Sequence, residues 1–283
     1  MKTIIEKHLL AVYFMLAFAI TWIGSTTYVL SLHKNGQVLP AFLGFPGMLT
    51  WYYGPFLAAT LVTWISGGKP SLHSLLMRLL YWRVNWRWYA FILLYPPGLH
   101  LGVVLLEQLL GGPPPVFFQA DGVPPGNVGL TLVGLILYQI LVRGIGEETG
   151  WRGFALPQLQ ARWNPVASSL ILGILWGLWH FHPANFPALL CPAGIFIFIN
   201  ITLTAFIFTW VYNHTRGSLW IAALFHMTLN IAEFVIPIGL AQASLSRHIL
   251  QIALIATTAA VMPMACGIRS RKGNQKWKAT RTL

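Results

Sequence analysis

Glu147 and Glu148 stand side by side in a chain that holds only six acidic residues among 283. Arg152 follows Glu148 by four positions, within reach on the same face of a helix. Further along, apolar sequence carries His180 at the end of Trp176-Gly-Leu-Trp-His180, and His226 with Asn230 in Phe225-His226-Met-Thr-Leu-Asn230. His226 and Asn230 are one helical turn apart, so both project from one side. A carboxylate and an imidazole around one water form a general-base pair able to activate it towards a carbonyl. A second imidazole and an amide can donate hydrogen bonds to the oxyanion that develops. Adjacent carboxylates resist ionising together unless a cation neutralises one of them. Successive side chains on a helix point about 100° apart. The two glutamates should therefore differ in role, Glu147 facing the water and Glu148 pairing with Arg152.

Other polar groups carry blander expectations. His100 reads as an interhelical hydrogen bonder, and His182 and His214 as interfacial residues near span ends. Glu107 and Asp121 fall in an outer loop and read as solvated. Glu233 continues the His226 face but lies close to the outer end of its span, so its membership of the site stays open.

The elements that must position these groups are membrane spans. Hydrophobic residues make up 56% of the chain and charged residues 8%, against roughly 25% charged in a soluble domain. The mean hydropathy is +0.65, and 13 tryptophans are available for the two interfaces. Ionisable groups at membrane depth are functional candidates, because desolvation selects against them unless they are paired or used. A net charge of +12 invites a nucleic-acid reading, but the basic residues flank apolar runs rather than forming a soluble face, so no nucleic-acid partner is expected. The uncharged run from Leu9 to Leu32 is longer than the core of a cleaved signal peptide. Cys191 and Cys266 are predicted on opposite membrane sides, with no disulfide framework or paired metal motif.

Eight apolar runs can cross the bilayer at about 20 residues each. They are Leu9–Leu32, Ala41–Ser66, Tyr89–Leu106, Val128–Val142, Pro165–Phe181, Ala193–Tyr212, Leu219–Ile236 and Ile249–Ile268. The expected fold is an all-α, polytopic integral membrane bundle of about eight helices. It forms one structural domain in three stretches: N-terminal helices over 1–127, a catalytic core over 128–240, and a last helix with a basic tail over 241–283. Pro96 and Pro97 predict a kink in the third span, and the short fourth span should continue as helix into the Glu147 segment. With the N-terminus inside, every basic residue except Lys34 and Arg247 falls on the inner side. That places both termini and the opening of the site on the cytoplasmic face of the cell membrane. Between spans two and three, Leu72, Leu75, Leu76, Leu79 and Leu80 form a stripe followed by Trp82, Trp86 and Trp88, which reads as an interfacial amphipathic helix.

Taken together, Glu147-Glu148-x-x-x-Arg152, the aromatic four residues before His180, and His226-x-x-x-Asn230 resemble the motifs of the CAAX-processing type II endopeptidases. The same motifs mark their bacterial relatives, the CPBP (Abi) intramembrane proteases. The similarity runs from about Val128 to Glu233, with Gly150-Trp151-Arg152-Gly153 and Arg216-Gly217-Ser218-Leu219-Trp220 adding to it. The resemblance implies that Glu147 and His180 activate water, that His226 and Asn230 form the oxyanion site, and that Glu148 and Arg152 support them. Trp176 stands where the eukaryotic pattern usually has Phe, so an aromatic lining is kept. Eukaryotic members remove the last three residues from prenylated Cys-a-a-X proteins; nothing in this chain identifies its own membrane-associated peptide. The family name includes metalloprotease, and Glu147, His180 and His226 could ligate a divalent metal such as zinc. The same groups suffice for a water activated without metal. A transporter or proton relay built on these residues is the rival from another class, opposed by the lack of an evident inverted repeat; an inactive immunity or binding scaffold is the other.

One geometric problem is visible in advance. His180 lies about 22 Å along its helix from Pro165, whereas His226 lies only about 10 Å from Leu219. If both helices start at the same interface, the fifth span must start deeper, tilt strongly or be broken.

Overall fold

The computed structural model describes residues 8–32, 41–112, 128–183, 186–236 and 244–266, together with 114, 117 and 238. Asp121 and the basic tail lie outside the described residues. Every regular element among the described residues is helical. In chain order they are α1 (Leu9–Leu32), α2 (Ala41–Met77), α3 (Trp86–Leu109), α4 (Val128–Tyr138), α5 (Ile145–Gly150), α6 (Leu156–Gln160), α7 (Pro165–Trp179), α8 (Pro192–His214), α9 (Leu219–Val235) and α10 (Leu245–Cys266). Segments α4, α5 and α6 form one apolar run, Gly129–Gln160, joined by π-helical turns at Gln139–Gly144 and Trp151–Ala155. Among the described residues, five helices are long and apolar enough to cross a membrane, and α7 and α9 are shorter apolar helices. The chain is a helical integral membrane protein.

Glycines decide how closely the carboxylate-bearing segment is held. A methyl group added at Gly146 would lie 2.7 Å from the Tyr52 carbonyl oxygen, and one at Gly150 would lie 2.6 Å from that of Pro55. Both glycines therefore press α5 against the backbone of α2. Gly144 does the same against α9, where an added methyl would meet the Ala223 carbonyl at 2.8 Å. In lipid, where apolar side chains gain little by leaving their surroundings, such close backbone approach is a main source of helix association. It also places Glu147 and Glu148 at the seam between α2 and α9. The flanking π turns widen the helix on either side of that seam, a device common at functional sites.

Helix α2 is redirected at Gly68, whose φ of 66° suits glycine and few other residues. The segment after it carries the leucine stripe expected from the sequence. Leu75 is buried against the core while Trp82 and Trp86 stay exposed. Its end is pinned by Arg78, which donates to the Gly153 carbonyl at 2.9 Å, to the Gly217 carbonyl at 3.2 Å and to the Tyr212 hydroxyl. Arg78 thus ties the segment after Arg152 to the turn before α9. That turn uses Arg216 and Gly217 at positive φ, and the Ser218 hydroxyl caps α9 by accepting from the Ile221 amide at 3.1 Å. Asn164 caps α7 in the same way through the Ala167 amide at 2.8 Å.

Glu107 departs from expectation. It is buried at the end of α3 and pairs with Arg247 of α10 at 2.6 Å, with Ser244 and Ser246 on its other oxygen. The sequence reading missed this because its partners lie more than 130 positions away. Gly150→Ala should cost about 1–3 kcal/mol of stability through overpacking. Melting in detergent checks this against Gly134→Ala, around which nothing lies within 4 Å and which should show no loss.

Candidate active site

Glu148 is the innermost charge, with no exposed surface, and so is Arg152. The Arg152 Nη1–H donates to Glu148 Oε1 at 2.9 Å, the i,i+4 pair anticipated from spacing. The guanidinium sits in the corner between the Trp176 ring at 4.2 Å and the Phe208 ring at 3.9 Å, two rings packed edge-to-face with centroids 5.5 Å apart. Aromatic faces stabilise a desolvated cation, and arginine's planar, weakly hydrated group suits such a slot better than lysine's would.

The same Glu148 oxygen accepts from His226 Nδ1 at 2.8 Å. A carboxylate only accepts, so the hydrogen-bond network assigns the proton to Nδ1. His226 Nε2 then faces Glu147, 3.8 Å from its Oε1. The other oxygen of Glu147 accepts from the Trp176 indole N–H at 2.9 Å. The adjacent glutamates are thus separated in surroundings: Glu148 is tied to Arg152 and the back of His226, and Glu147 meets the front of His226 and Trp176.

His180 is placed one turn beyond Trp176 as the residue capping α7. Helix α7 is unbroken from Pro165 to Trp179, so breakage does not reconcile the depths. What meets His226 is Trp176, with ring centroids 5.9 Å apart. Trp176 sits about 16 Å along α7, which halves the mismatch and leaves about 6 Å to the tilt or starting depth of that helix. His180 packs against Trp176 at 5.8 Å, donates its Nδ1–H to the Trp176 carbonyl at 2.8 Å, and interacts electrostatically with Glu147 without an ion-pair contact. Its Nε2 is left for chemistry, as is that of His226.

Asn230 extends from α9 towards α4, and its Nδ2 donates to Gln139 Oε1 at 2.8 Å. Glu233 lies elsewhere, 3.8 Å from His100, and accepts from the Ile238 amide at 3.1 Å. His100 itself bonds the Ile236 carbonyl at 2.8 Å, the interhelical role expected of it. Two residues gained weight only from the structure. Trp176 was read as lining, although a tryptophan carries a donor that phenylalanine lacks. Gln139 was passed over, although a lone amide in an apolar span was a usable signal.

The metal alternative would need Glu147, His180 and His226 at one point. Among the described residues no three His, Cys, Asp or Glu side chains converge on one point. Glu147 Oε1 and His226 Nε2 do approach each other at 3.8 Å, and a His226 Nδ1–H held by Glu148 is the usual second bond of a metal-ligating imidazole, so two of the three suggested ligands could meet one ion.

The fold and site are those of a helical membrane protein with an acid–imidazole centre buried among its spans. Residues 129–232 match the family model "Type II CAAX prenyl endopeptidase Rce1-like". The chain is also 27% identical over 244 residues to "CAAX prenyl protease 2" of Methanococcus maripaludis, covering 80% of this chain and 84% of that protein. The region bearing Glu147, His180 and His226 is therefore similar to the Rce1-like endopeptidases, and the comparisons indicate a protease.

Removing one member of a buried ion pair costs about 3–5 kcal/mol by stranding the other. Arg152→Met should therefore melt well below the wild type in detergent. Adding Glu148→Gln to it should restore part of the loss, a coupling that a double-mutant cycle reads directly.

Proposed function

We propose that the chain is an intramembrane endopeptidase that cleaves a membrane-associated, CAAX-like peptide with a water activated by Glu147. The observation that carries this is the fixed orientation of His226. Glu148 anchors its Nδ1–H and so aims Nε2 at Glu147 across 3.8 Å. That separation is too long for a hydrogen bond and lets both acceptors reach one water lying off the line between them.

Glu147 takes a proton from the water as the oxygen attacks the scissile carbonyl carbon. His226 Nε2 carries no proton while Nδ1–H is held by Glu148, so it accepts a hydrogen bond from the water's other O–H instead of taking the oxyanion role the resemblance implies. The Trp176 N–H holds Glu147 at the angle this needs. An Asn amide has two N–H donors. Gln139 occupies one at Asn230, and the other donates to the oxyanion. Glu147 then returns the proton to the leaving amine, the carbon–nitrogen bond breaks, and a carboxylic acid and an amine result, the acid's proton passing to the amine to leave a carboxylate and an ammonium. The resemblance assigns His180 to the water as well; its uncommitted Nε2 joins as substrate closes the site, since such contacts tighten in the complex. Glu148 and Arg152 act through His226 and are positioning residues.

The basic residues favour an orientation with both termini and the site's opening on the cytoplasmic side of the cell membrane, so that peptides anchored in the inner leaflet have access. Mass spectrometry of membrane peptides tests the reading. Specific cleaved peptides should appear with wild type and vanish with Glu147→Ala and His226→Ala, and chelators should leave turnover intact. Identical peptide profiles across the three strains would defeat it, and zinc-dependent loss and recovery of activity would reassign the site residues as ligands.

A further inference from the structure

Arg143 is the charge near the site that the proposed chemistry does not use. It lies close to the middle of the 32-residue apolar run Gly129–Gln160, too far from either end for a lipid headgroup to be its natural partner. Arginine at such depth is retained for pairing or for function. Here pairing within the protein does not account for it. Among the described residues Arg143 makes no ion pair: its Nη2–H donates to the Tyr52 hydroxyl at 3.2 Å and its guanidinium rests 4.9 Å from the centre of the Tyr52 ring. Its Nε is buried without a hydrogen-bond partner. Tyr138 packs edge-on against Tyr52 at 6.0 Å and interacts electrostatically with Arg143.

The place of this cation relative to the chemistry is defined. Arg143 precedes Glu147 by one turn, about 6 Å along the helix axis, and interacts electrostatically with both Glu147 and His180. It stays half-buried, with the Tyr52 cage holding the guanidinium plane. A rigid, desolvated guanidinium with donors to spare is matched by a carboxylate, which it binds through paired N–H donors. An extended peptide advances about 3.3 Å per residue, so a group some two or three residues from the scissile bond falls in range.

We propose that Arg143 binds a carboxylate carried by the substrate two or three residues from the cleaved bond, and so selects which peptides are cut. This rests on the endopeptidase reading above. A peptide can supply that carboxylate from its free C-terminus or from an acidic side chain.

Three peptides decide between these, each with an S-prenylated cysteine followed by three residues: one ending in the free acid, one amidated, and one amidated with glutamate as its last residue. Initial turnover rates are measured with wild type and Arg143→Gln. Binding is measured separately on Glu147→Gln, which reads recognition without turnover. The free acid should be cleaved, and bound, at least tenfold better than the plain amide, a ratio that falls to about one in Arg143→Gln and is partly kept in Arg143→Lys. If the amidated glutamate peptide matches the free acid, the side chain is an equal source; if it matches the plain amide, the terminus is the source. Equal binding of all three peptides, or a rate ratio unchanged in Arg143→Gln, overturns the proposal. Preferred binding of the acid with no cleavage by wild type would keep Arg143's role and remove the endopeptidase reading instead. Should Arg143→Gln fail to fold, the wild-type acid-to-amide comparison still decides, because equal rates and equal binding exclude a carboxylate reader.

Discussion

A carboxylate taken entirely out of water sets the terms for the centre of this bundle. Glu148 has no exposed surface, and an isolated ion in such surroundings would cost several kcal/mol. It is retained because Arg152 and His226 share one of its oxygens. Arg152 in turn needs the Trp176 and Phe208 faces, which bring α7 and α8 into the same knot. His226 brings α9. The ion pair and its partners thus fix the mutual placement of the elements that carry the polar groups.

That knot explains how two adjacent glutamates serve different ends. One is consumed in holding an imidazole and a guanidinium. The other keeps one oxygen on the Trp176 indole and leaves the other near His226 Nε2. The glycines around them matter as much as the charges. With side chains at Gly146 and Gly150 the segment could not lie against the α2 backbone, and both carboxylates would be displaced from the seam between α2 and α9. The π turns before and after α5 allow a long apolar helix to change its face at the point where polar groups are needed.

Most of the scaffold was legible in the sequence because lipid imposes a simple rule: about 20 apolar residues, with charge confined to the flanks. The Glu148–Arg152 pair was legible for a similar reason, since four residues on a helix fix proximity. Contacts between helices were not. That Trp176 rather than His180 meets His226 depends on the relative depth of α7 and α9, which no single-helix pattern contains. The bonds from Trp176 to Glu147 and from Asn230 to Gln139 are hidden for the same reason. Glu107 was misread as solvated since its partner Arg247 lies on another helix. Arg143 was counted in the sequence only among the basic residues of the inner side. Only its contact with Tyr52 and the lack of an ion pair among the described residues distinguish it from an anchor at the interface.

The division of labour between the two glutamates is tested most directly by measuring melting temperature and peptide turnover together for Glu147→Gln and Glu148→Gln in the same detergent. Glu147→Gln should melt close to the wild type and cleave nothing. Glu148→Gln should melt lower, with residual turnover that falls as His226 loses its anchor. Wild-type turnover in Glu147→Gln, or wild-type melting in Glu148→Gln, would contradict the account.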